Sequence, residues 1–261
     1  MRWGERGAGT PPIVLTIAGS DSGGGAGIQA DLKTFAAHGV FGTSVITALT
    51  AQNTVGVKGV HAVPADFVAA QLDAVLADFD VRAVKTGMLG DPAILAVVAA
   101  YARAGRLPNL VVDPVVVATS GDLLYQGDPA DYLRLLTPYA TVLTPNIPEA
   151  RVLGGEDATA LARAAGTAVV LKGGHAAVER AVDIVADGER VWELGAERVD
   201  TPNTHGTGCT FSAAIAAGLA RGEGLESALR KAKSYITGAL AAGASWRLGH
   251  GSGPVDHLWR H

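Results

Sequence analysis

The chain has 261 residues, of which 48% are hydrophobic and 18% charged, and its formal net charge at pH 7 is -4. The small excess of acidic residues offers no general attraction to a polyanion, so we exclude nucleic acid as a partner. No apolar run approaches the roughly 18 residues of a membrane span, which excludes a membrane protein. The single cysteine, Cys209, excludes an intrachain disulfide and indicates a reducing, cytoplasmic location.

The N-terminal segment, residues 1–11, has no apolar stretch followed by a cleavage site, so we interpret it as a loose tail and not as a signal peptide. We assign residues 12–261 to a single domain, because no linker or internal repeat interrupts them. The β-branched apolar run at 13–18 is typical of a strand buried on both faces of a parallel sheet. A glycine-rich loop at 19–27 follows, and then a helix that begins at Ile28.

Strands and helices continue to alternate along the chain. The pattern predicts strands at 43–49, 82–87, 109–115, 141–146 and 168–174, helices at 66–79, 91–105, 147–155, 157–166, 206–222 and 225–243, and a hairpin at 182–194. This order predicts an α/β fold with a central, mostly parallel sheet covered by helices. Active-site groups are then expected in loops at the carboxyl ends of the strands.

A glycine-rich turn, Gly206, Thr207, Gly208 and Cys209, precedes a long alanine-rich helix. The N–H groups at a helix start have no intrahelical partner, and glycines let the backbone approach a phosphate closely. We therefore interpret the turn as an anion hole for a transferring phosphoryl group. The alternative is a glycine turn that packs against the sheet.

Cys209 stands at the positive end of that helix dipole, which is expected to lower the pKa of its thiol. A thiolate at this position would act as a general base. The alternative is that Cys209 is a small buried residue of the helix, as free cysteines often are.

The first glycine-rich loop, residues 19–27, is not a P-loop, since no Gly-Lys-Ser/Thr follows, and it lacks the third glycine of a dinucleotide fingerprint. Its glycines let backbone amides approach a ligand. Asp21 and Asp31 add carboxylates that are candidates to bond a ring nitrogen, an amine or a hydroxyl. The alternative for Asp31 is a solvated helix residue.

Other polar groups follow predicted strands: Asp113, Asn146, Glu149 and Lys172. A carboxylate held through water on Mg²⁺ and a lysine that reaches phosphate oxygens are what a nucleotide site needs. We interpret these residues as the nucleotide and metal surroundings. The alternative for Glu149 is that it caps the helix at whose start it lies. The alternative for Lys172 is a surface charge.

Gln52, Asn53 and Met88 also follow predicted strands. An amide both donates to and accepts from the edge of a pyrimidine, and methionine adapts to the face of a flat ring. These side chains therefore favour a heteroaromatic substrate, whereas Met88 considered singly is equally compatible with the core.

Together the motifs resemble the ribokinase-like superfamily and, within it, the hydroxymethylpyrimidine/phosphomethylpyrimidine kinases of thiamine synthesis. The resemblance runs along almost the whole chain in family order. It is carried by AGSDSGGGAGIQADLKTF at 18–35, SVITALTAQNT at 44–54, KTGMLGD at 85–91, DPVVVATSGDLL at 113–124, TPNIPEA at 144–150, LKGGH at 171–175 and NTHGTGCTFSAAIAAGLARG at 203–222.

The resemblance implies a three-layer α/β/α sandwich and an ATP-dependent, Mg²⁺-assisted kinase. Its substrate would be 4-amino-5-hydroxymethyl-2-methylpyrimidine and then the monophosphate, which yields the diphosphate for thiamine diphosphate synthesis. The resemblance also implies a homodimer.

By the same resemblance, Asp31, Gln52 and Met88 line the pyrimidine pocket, with Gly19 and Ala26 close by. The turn that ends in Cys209 holds the phosphate, and the cysteine stands where sugar-kinase relatives carry an aspartate base. The residues that match the phosphate, nucleotide and metal surroundings are Lys172, Asn146, Thr207, Asp113 and Glu149.

The chain departs from the family pattern at Val116, where methionine is expected, and at Thr119, where lysine is expected. Both are expected at the wall near the nucleotide. Two alternatives remain at this point: a pyridoxine/pyridoxal kinase, which shares the fold, and a pyrimidine-binding protein without catalysis. The intact turn at 206–209 and Lys172 argue against the second.

Overall fold

The structure, a computed structural model, describes residues 9–117, 124–176 and 180–260. Residues 1–8 of the predicted tail lie outside the described residues, and so does Thr119. The described strands are β1 (Ile13–Asp21), β2 (Phe41–Asn53), β3 (Gly56–Ala62), β4 (Val81–Thr86), β5 (Leu110–Val112), β6 (Val142–Leu143), β7 (Ala168–Ala176), β8 (Arg180–Ala186) and β9 (Val191–Glu197). The described helices are α1 (Gly27–Ala37), α2 (Ala65–Asp78), α3 (Pro92–Arg103), α4 (Ile147–Leu153), α5 (Ala158–Ala165), α6 (Thr207–Ala220) and α7 (Leu225–Gly243).

Within the described ranges the strands form one sheet of nine, in the order β3-β2-β1-β4-β5-β6-β7-β8-β9. The strands from β2 to β7 in this order are mutually parallel, whereas β3, β8 and β9 run antiparallel to their neighbours. The chain moves outward from β1 to β2 and then returns to β4 on the other side of β1. This reversal leaves a crevice at the carboxyl ends of β1 and β4, where open α/β sheets bind ligands.

The continuous apolar runs of the central strands arise because both faces of the sheet are covered. On β1, Leu15 and Ile17 pack in the core beneath α2 and α3, whereas Val14 packs in the core beneath α1 and α6. Helices α1, α6 and α7 form one layer, and α2, α3, α4 and α5 form the other. The predicted three-layer α/β/α sandwich is therefore confirmed.

The sequence pattern missed β3 and the π-helical turn at Tyr132–Leu136. Every residue of β3 is exposed, so no apolar alternation marks it. It pairs with the second half of β2, which continues to Asn53, beyond the predicted end at residue 49. Strands β5 and β6 are shorter than predicted, because the chain leaves the sheet after Val112 and Leu143 and places its polar residues at the crevice.

Candidate active site

The carboxyl ends of the parallel strands and the two glycine-rich loops surround a cavity of about 230 Å³, here called the first cavity. Thirteen of the residues singled out in the sequence line it: Gly19, Asp21, Ala26, Gln52, Met88, Asp113, Asn146, Glu149, Lys172, Gly206, Thr207, Gly208 and Cys209. A second cavity, of about 460 Å³, lies beside it between β8 and α7. The two cavities share five lining residues, which are Asn146, Lys172, Thr204, Thr207 and Gly208.

The turn before α6 forms one wall of the first cavity. Gly206 is the N-cap of α6, with a φ of 80°, and within the described residues no side chain caps this helix. The first intrahelical hydrogen bond runs from the Thr210 amide to the Gly206 carbonyl. The earlier amides of Gly208 and Cys209 are free to point at an anion, and the helix dipole adds to their positive potential.

Lys172, at the end of β7, lies over this turn. A Cβ at Gly208 would lie 3.2 Å from the Lys172 Nζ, so only glycine lets the ammonium group approach the helix start this closely. Lys172 Nζ also donates to the Asp113 Oδ1 at 2.9 Å. Burial lowers the pKa of Lys172, but the charges of Asp113 and Glu149 outweigh burial and raise it above its ordinary value. The lysine is therefore a fixed cation and not a surface charge.

Asn146 and Glu149 form a reciprocal capping box at the start of α4. The Glu149 amide donates to the Asn146 Oδ1, and the Asn146 amide donates to the Glu149 Oε2, each at 2.8 Å. Glu149 therefore caps the helix, as its alternative interpretation predicts, and it also lines the first cavity. Burial raises the pKa of the Glu149 carboxyl to about 7, although Lys172 opposes the shift.

Asp113 and Glu149 are hard oxygen donors, the type that Mg²⁺ takes when most of its other ligands are waters and phosphates. Both are nearly fully buried and both line the first cavity. Lys172 occupies one oxygen of Asp113, so a metal would be held by the remaining carboxylate oxygens through water. The residues fit a magnesium ion that arrives with a nucleotide.

Cys209 has a different protonation state from the one that its helix position predicts. Burial raises the pKa of the Cys209 thiol to about 11, although Lys85 and the Gly27 backbone amide oppose the shift. The expectation of a lowered pKa was therefore wrong, because desolvation of the thiolate outweighs the helix dipole. In the ligand-free protein the sulfur is therefore a thiol at neutral pH.

The four predicted ring contacts all line the first cavity, and the part that they line is here called the ring end: Gly19, Ala26, Gln52 and Met88. A Cβ at Gly19 would lie 2.7 Å from the Met88 Cε, so a larger residue at position 19 would have to displace the end of the Met88 side chain. Asn53 does not line the cavity, since its Oδ1 accepts hydrogen bonds from the Val55 and Gly56 amides in the β2–β3 turn.

Asp31 lies beneath the cavity and not at its surface. Its Oδ2 accepts hydrogen bonds from the Thr16 hydroxyl at 2.6 Å and from the Lys85 Nζ at 3.0 Å, and all three side chains are buried. Lys85 is the member of this cluster that lines the cavity. A Cβ at Gly87 would lie 2.8 Å from the Lys85 Nζ, so the glycine leaves the ammonium group open to the cavity.

Four further residues line the first cavity, although no sequence pattern indicated a role for them: Lys85, His205, Val57 and Val60. A lysine directly after the apolar pair Ala83 and Val84 of β4 is a signal that could have found Lys85, because a buried lysine needs a partner. Val57 and Val60 belong to the unpredicted strand β3. Val116 is fully buried in the core beneath α3, so its expected place at the cavity wall was wrong.

Asp31→Ala should destabilise the protein by about 3–5 kcal/mol, because it leaves the ammonium of Lys85 buried without its partner. Urea unfolding of the ligand-free protein measures this. Asp73→Ala is the matched control, since Asp73 forms an exposed pair with Arg106 at 2.9 Å and exposed pairs contribute little. Equal midpoints for the two variants would contradict the role of Asp31 as a buried counter-charge.

Alkylation of Cys209 by iodoacetamide should be slow at pH 7, where a thiol of pKa about 11 is ionised to only about 10⁻⁴. The rate should rise about tenfold per pH unit up to pH 10. Because the chain has one cysteine, intact-mass measurement reports this site alone. The chain unfolded in guanidinium is the control, and the alkylation rate of its Cys209 should reach a plateau near pH 9, as that of a free thiol does. A plateau below pH 9 in the folded protein would contradict the shift.

The geometry agrees with what comparison with known proteins finds. The profile of the family described as phosphomethylpyrimidine kinase matches residues 21–256. The hydroxymethylpyrimidine/phosphomethylpyrimidine kinase of Rhizobium meliloti is 50% identical, over 95% of this chain and 97% of that protein.

Among solved structures, the ADP complex of pyridoxal kinase from Bacillus subtilis is similar, with a TM-score of 0.86, 39% identity and coverage of 95% of this chain and 98% of that one. Phosphomethylpyrimidine kinase from Clostridium difficile 630 has a TM-score of 0.75 and 38% identity, over 87% of this chain and 99% of that one. The motifs, the fold and these relatives together show that the chain belongs to the phosphomethylpyrimidine kinase family.

Proposed function

We propose that the protein transfers the γ-phosphoryl group of ATP to the hydroxymethyl group of 4-amino-5-hydroxymethyl-2-methylpyrimidine, and then a second phosphoryl group to the monophosphate. The observation that carries the proposal is that the two cavities meet at the turn before α6. The first cavity suits a small flat ring, and the second is large enough for a nucleotide. The shared residues are those that would hold the migrating phosphoryl group.

At the ring end, the amide of Gln52 would bond the edge of the pyrimidine, and Met88 would pack on its face. The Thr50 hydroxyl lies 3.1 Å from the Gln52 Oε1 and 2.9 Å from the Ser20 carbonyl oxygen, and it holds the Gln52 amide at the cavity. An amide at this position can donate to or accept from the edge of a ring. Gly19 and Ala26 also line the first cavity, and neither carries a large side chain.

At the nucleotide end, Lys172 would bind phosphate oxygens, while Asp113 and Glu149 would hold a Mg²⁺ ion through water. The ion would neutralise charge on the β- and γ-phosphates. The oxygen of the substrate hydroxyl forms the new P–O bond as the bond to the β–γ bridging oxygen breaks. The amides of Gly208 and Cys209 would stabilise the equatorial oxygens of the group in transfer.

The proton of the substrate hydroxyl leaves late in a loose phosphoryl transfer. Cys209 is a thiol in the ligand-free protein, so it becomes a base only when it has first released its own proton. That proton would pass to solvent water, and a bound Mg²⁺ would favour its loss; the effect of the Lys85 ammonium is already included in the raised pKa of the thiol. We therefore assign the larger share of catalysis to the amides and Lys172, and a smaller share to the sulfur.

The proposal includes a cytoplasmic homodimer. The β2–β3 hairpin exposes Leu49, Val55, Val57 and Val60, whose exposed fractions range from 44% to 71%. An exposed apolar edge strand of this kind promotes aggregation unless another surface covers it. A second copy of the chain would cover it and close the ring end, where Val57 and Val60 also line the first cavity.

No helix in the described ranges has the length and hydropathy to cross a membrane.

ADP release with MgATP should be fastest with the pyrimidine alcohol and its monophosphate, and slower with pyridoxal and pyridoxine. A coupled assay with all four compounds measures this, with ATP alone as the blank. Faster turnover of pyridoxal would favour the pyridoxal kinase function suggested by the B. subtilis relative. Binding without ADP release would favour a non-catalytic pyrimidine-binding protein.

Cys209→Ala should lower kcat by about 10²-fold, the lower end of the usual contribution of a positioned base, because phosphoryl transfer depends chiefly on the amides. The KM for ATP should stay unchanged. Cys209→Ser, which replaces the thiol by a hydroxyl at the same position, is the matched control and should lose less. A kcat equal to wild type in Cys209→Ala would remove the sulfur from the mechanism.

A further inference from the structure

The two glycine-rich loops that bound the first cavity are in direct backbone contact. A Cβ at Gly206 would overlap the carbonyl oxygen of Gly25, and the φ of 80° at Gly206 is itself in the left-handed region. A Cβ at Gly25 would lie 2.5 Å from the His205 Cδ2. The two loops therefore cannot move closer to each other at this contact without a clash.

Asp21, at the end of β1, organises the first of these loops. Its Oδ1 accepts a hydrogen bond from the Gly23 amide at 2.7 Å, and its Oδ2 accepts from the Gly25 amide at 3.1 Å and the Ala26 amide at 2.9 Å. The carboxylate is 3% exposed. His205 is a fourth donor and also bonds Oδ2, so Oδ1 accepts a single hydrogen bond; Asp21 lines the first cavity, and its role as a ligand contact stays a prediction.

His205 connects this carboxylate to the second loop. Its Nε2 donates to the Asp21 Oδ2 at 2.9 Å, since a carboxylate with so many donors can only accept. Burial raises the pKa of the Asp21 carboxyl, but the bonds from His205, Ala26 and Gly23 outweigh burial and hold it below its ordinary value. The carboxylate is thus charged wherever the enzyme is active, and the bond from His205 is charge-assisted.

The backbone of His205 is held independently of its ring. Its amide donates to the Gly253 carbonyl at 3.0 Å, and the residue forms a β-bridge with Pro254. The next residue is Gly206, the N-cap of α6. The ring bond to Asp21 therefore adds to the backbone contacts that fix the distance between the start of α6 and the loop that lines the ring end of the cavity.

We propose that Asp21 and His205 are positioning residues that set the distance between the acceptor hydroxyl and the amides before α6. The proposal rests on the proposed kinase function, because it concerns the alignment of the same transfer. A displacement of about 1 Å between reacting groups costs about 10²-fold in rate. Neither residue needs to contact the phosphoryl group to have this effect.

The test compares His205→Leu, which cannot donate to Asp21, with His205→Gln, whose amide can. His205→Leu should lower kcat by about 10- to 100-fold with the KM for ATP unchanged, and His205→Gln should retain more of the activity. His250→Ala, a change at an exposed histidine, is the control and should match wild type.

A double-mutant cycle completes the test. Asp21→Asn together with His205→Leu should cost no more than the larger single loss, since both changes break the same link. The urea unfolding midpoint of each variant distinguishes misfolding from misalignment. If His205→Leu is unfolded, the same cycle is measured with Asp21→Asn and His205→Gln. Additive losses, or equal kcat in His205→Leu and wild type, would overturn the proposal. An inactive wild type would instead overturn the kinase function.

Discussion

The burial of α6 is the constraint on which the rest of the site depends. Every residue from Thr210 to Ala220 is buried between the sheet and α7, and the small alanine side chains permit this close approach. A helix held along its whole length cannot tilt, so its first turn points to one place, the crevice between β1 and β4. The positive end of the helix is thereby fixed where the two cavities meet.

Two buried cations reinforce that positive region. Lys172 is paired with Asp113, and Lys85 with Asp31, and each ammonium reaches the cavity past a glycine, Gly208 and Gly87 respectively. Each pair is costly to bury and is stable only because both partners are present. The anionic groups of a nucleotide and of a phosphorylated product would meet charges that need no rearrangement, which is what preorganised electrostatic catalysis requires.

Pyridoxal kinases and phosphomethylpyrimidine kinases both resemble this chain, and the structure explains why one scaffold serves both. The residues proposed to hold the phosphoryl group lie at strand ends and at a helix start, whereas the proposed ring contacts lie at the end of β2, for Gln52, and after β4, for Met88. Changes at those two positions would alter the ring that is accepted without moving the turn before α6. On the proposed function, specificity and catalysis would be carried by different elements of the fold.

The sequence by itself determined the alternation of strands and helices, because local apolar runs reveal strands buried on both faces. It also determined the cavity-lining residues whose motifs are contiguous, such as the turn at 206–209. Only the tertiary structure decided that Asp31 lies under the cavity with Lys85, that Asp21 bonds His205, 184 positions away along the chain, and that burial keeps Cys209 protonated. These properties depend on which groups come into contact across the sheet and on how strongly those groups are desolvated, and a local sequence pattern reports neither.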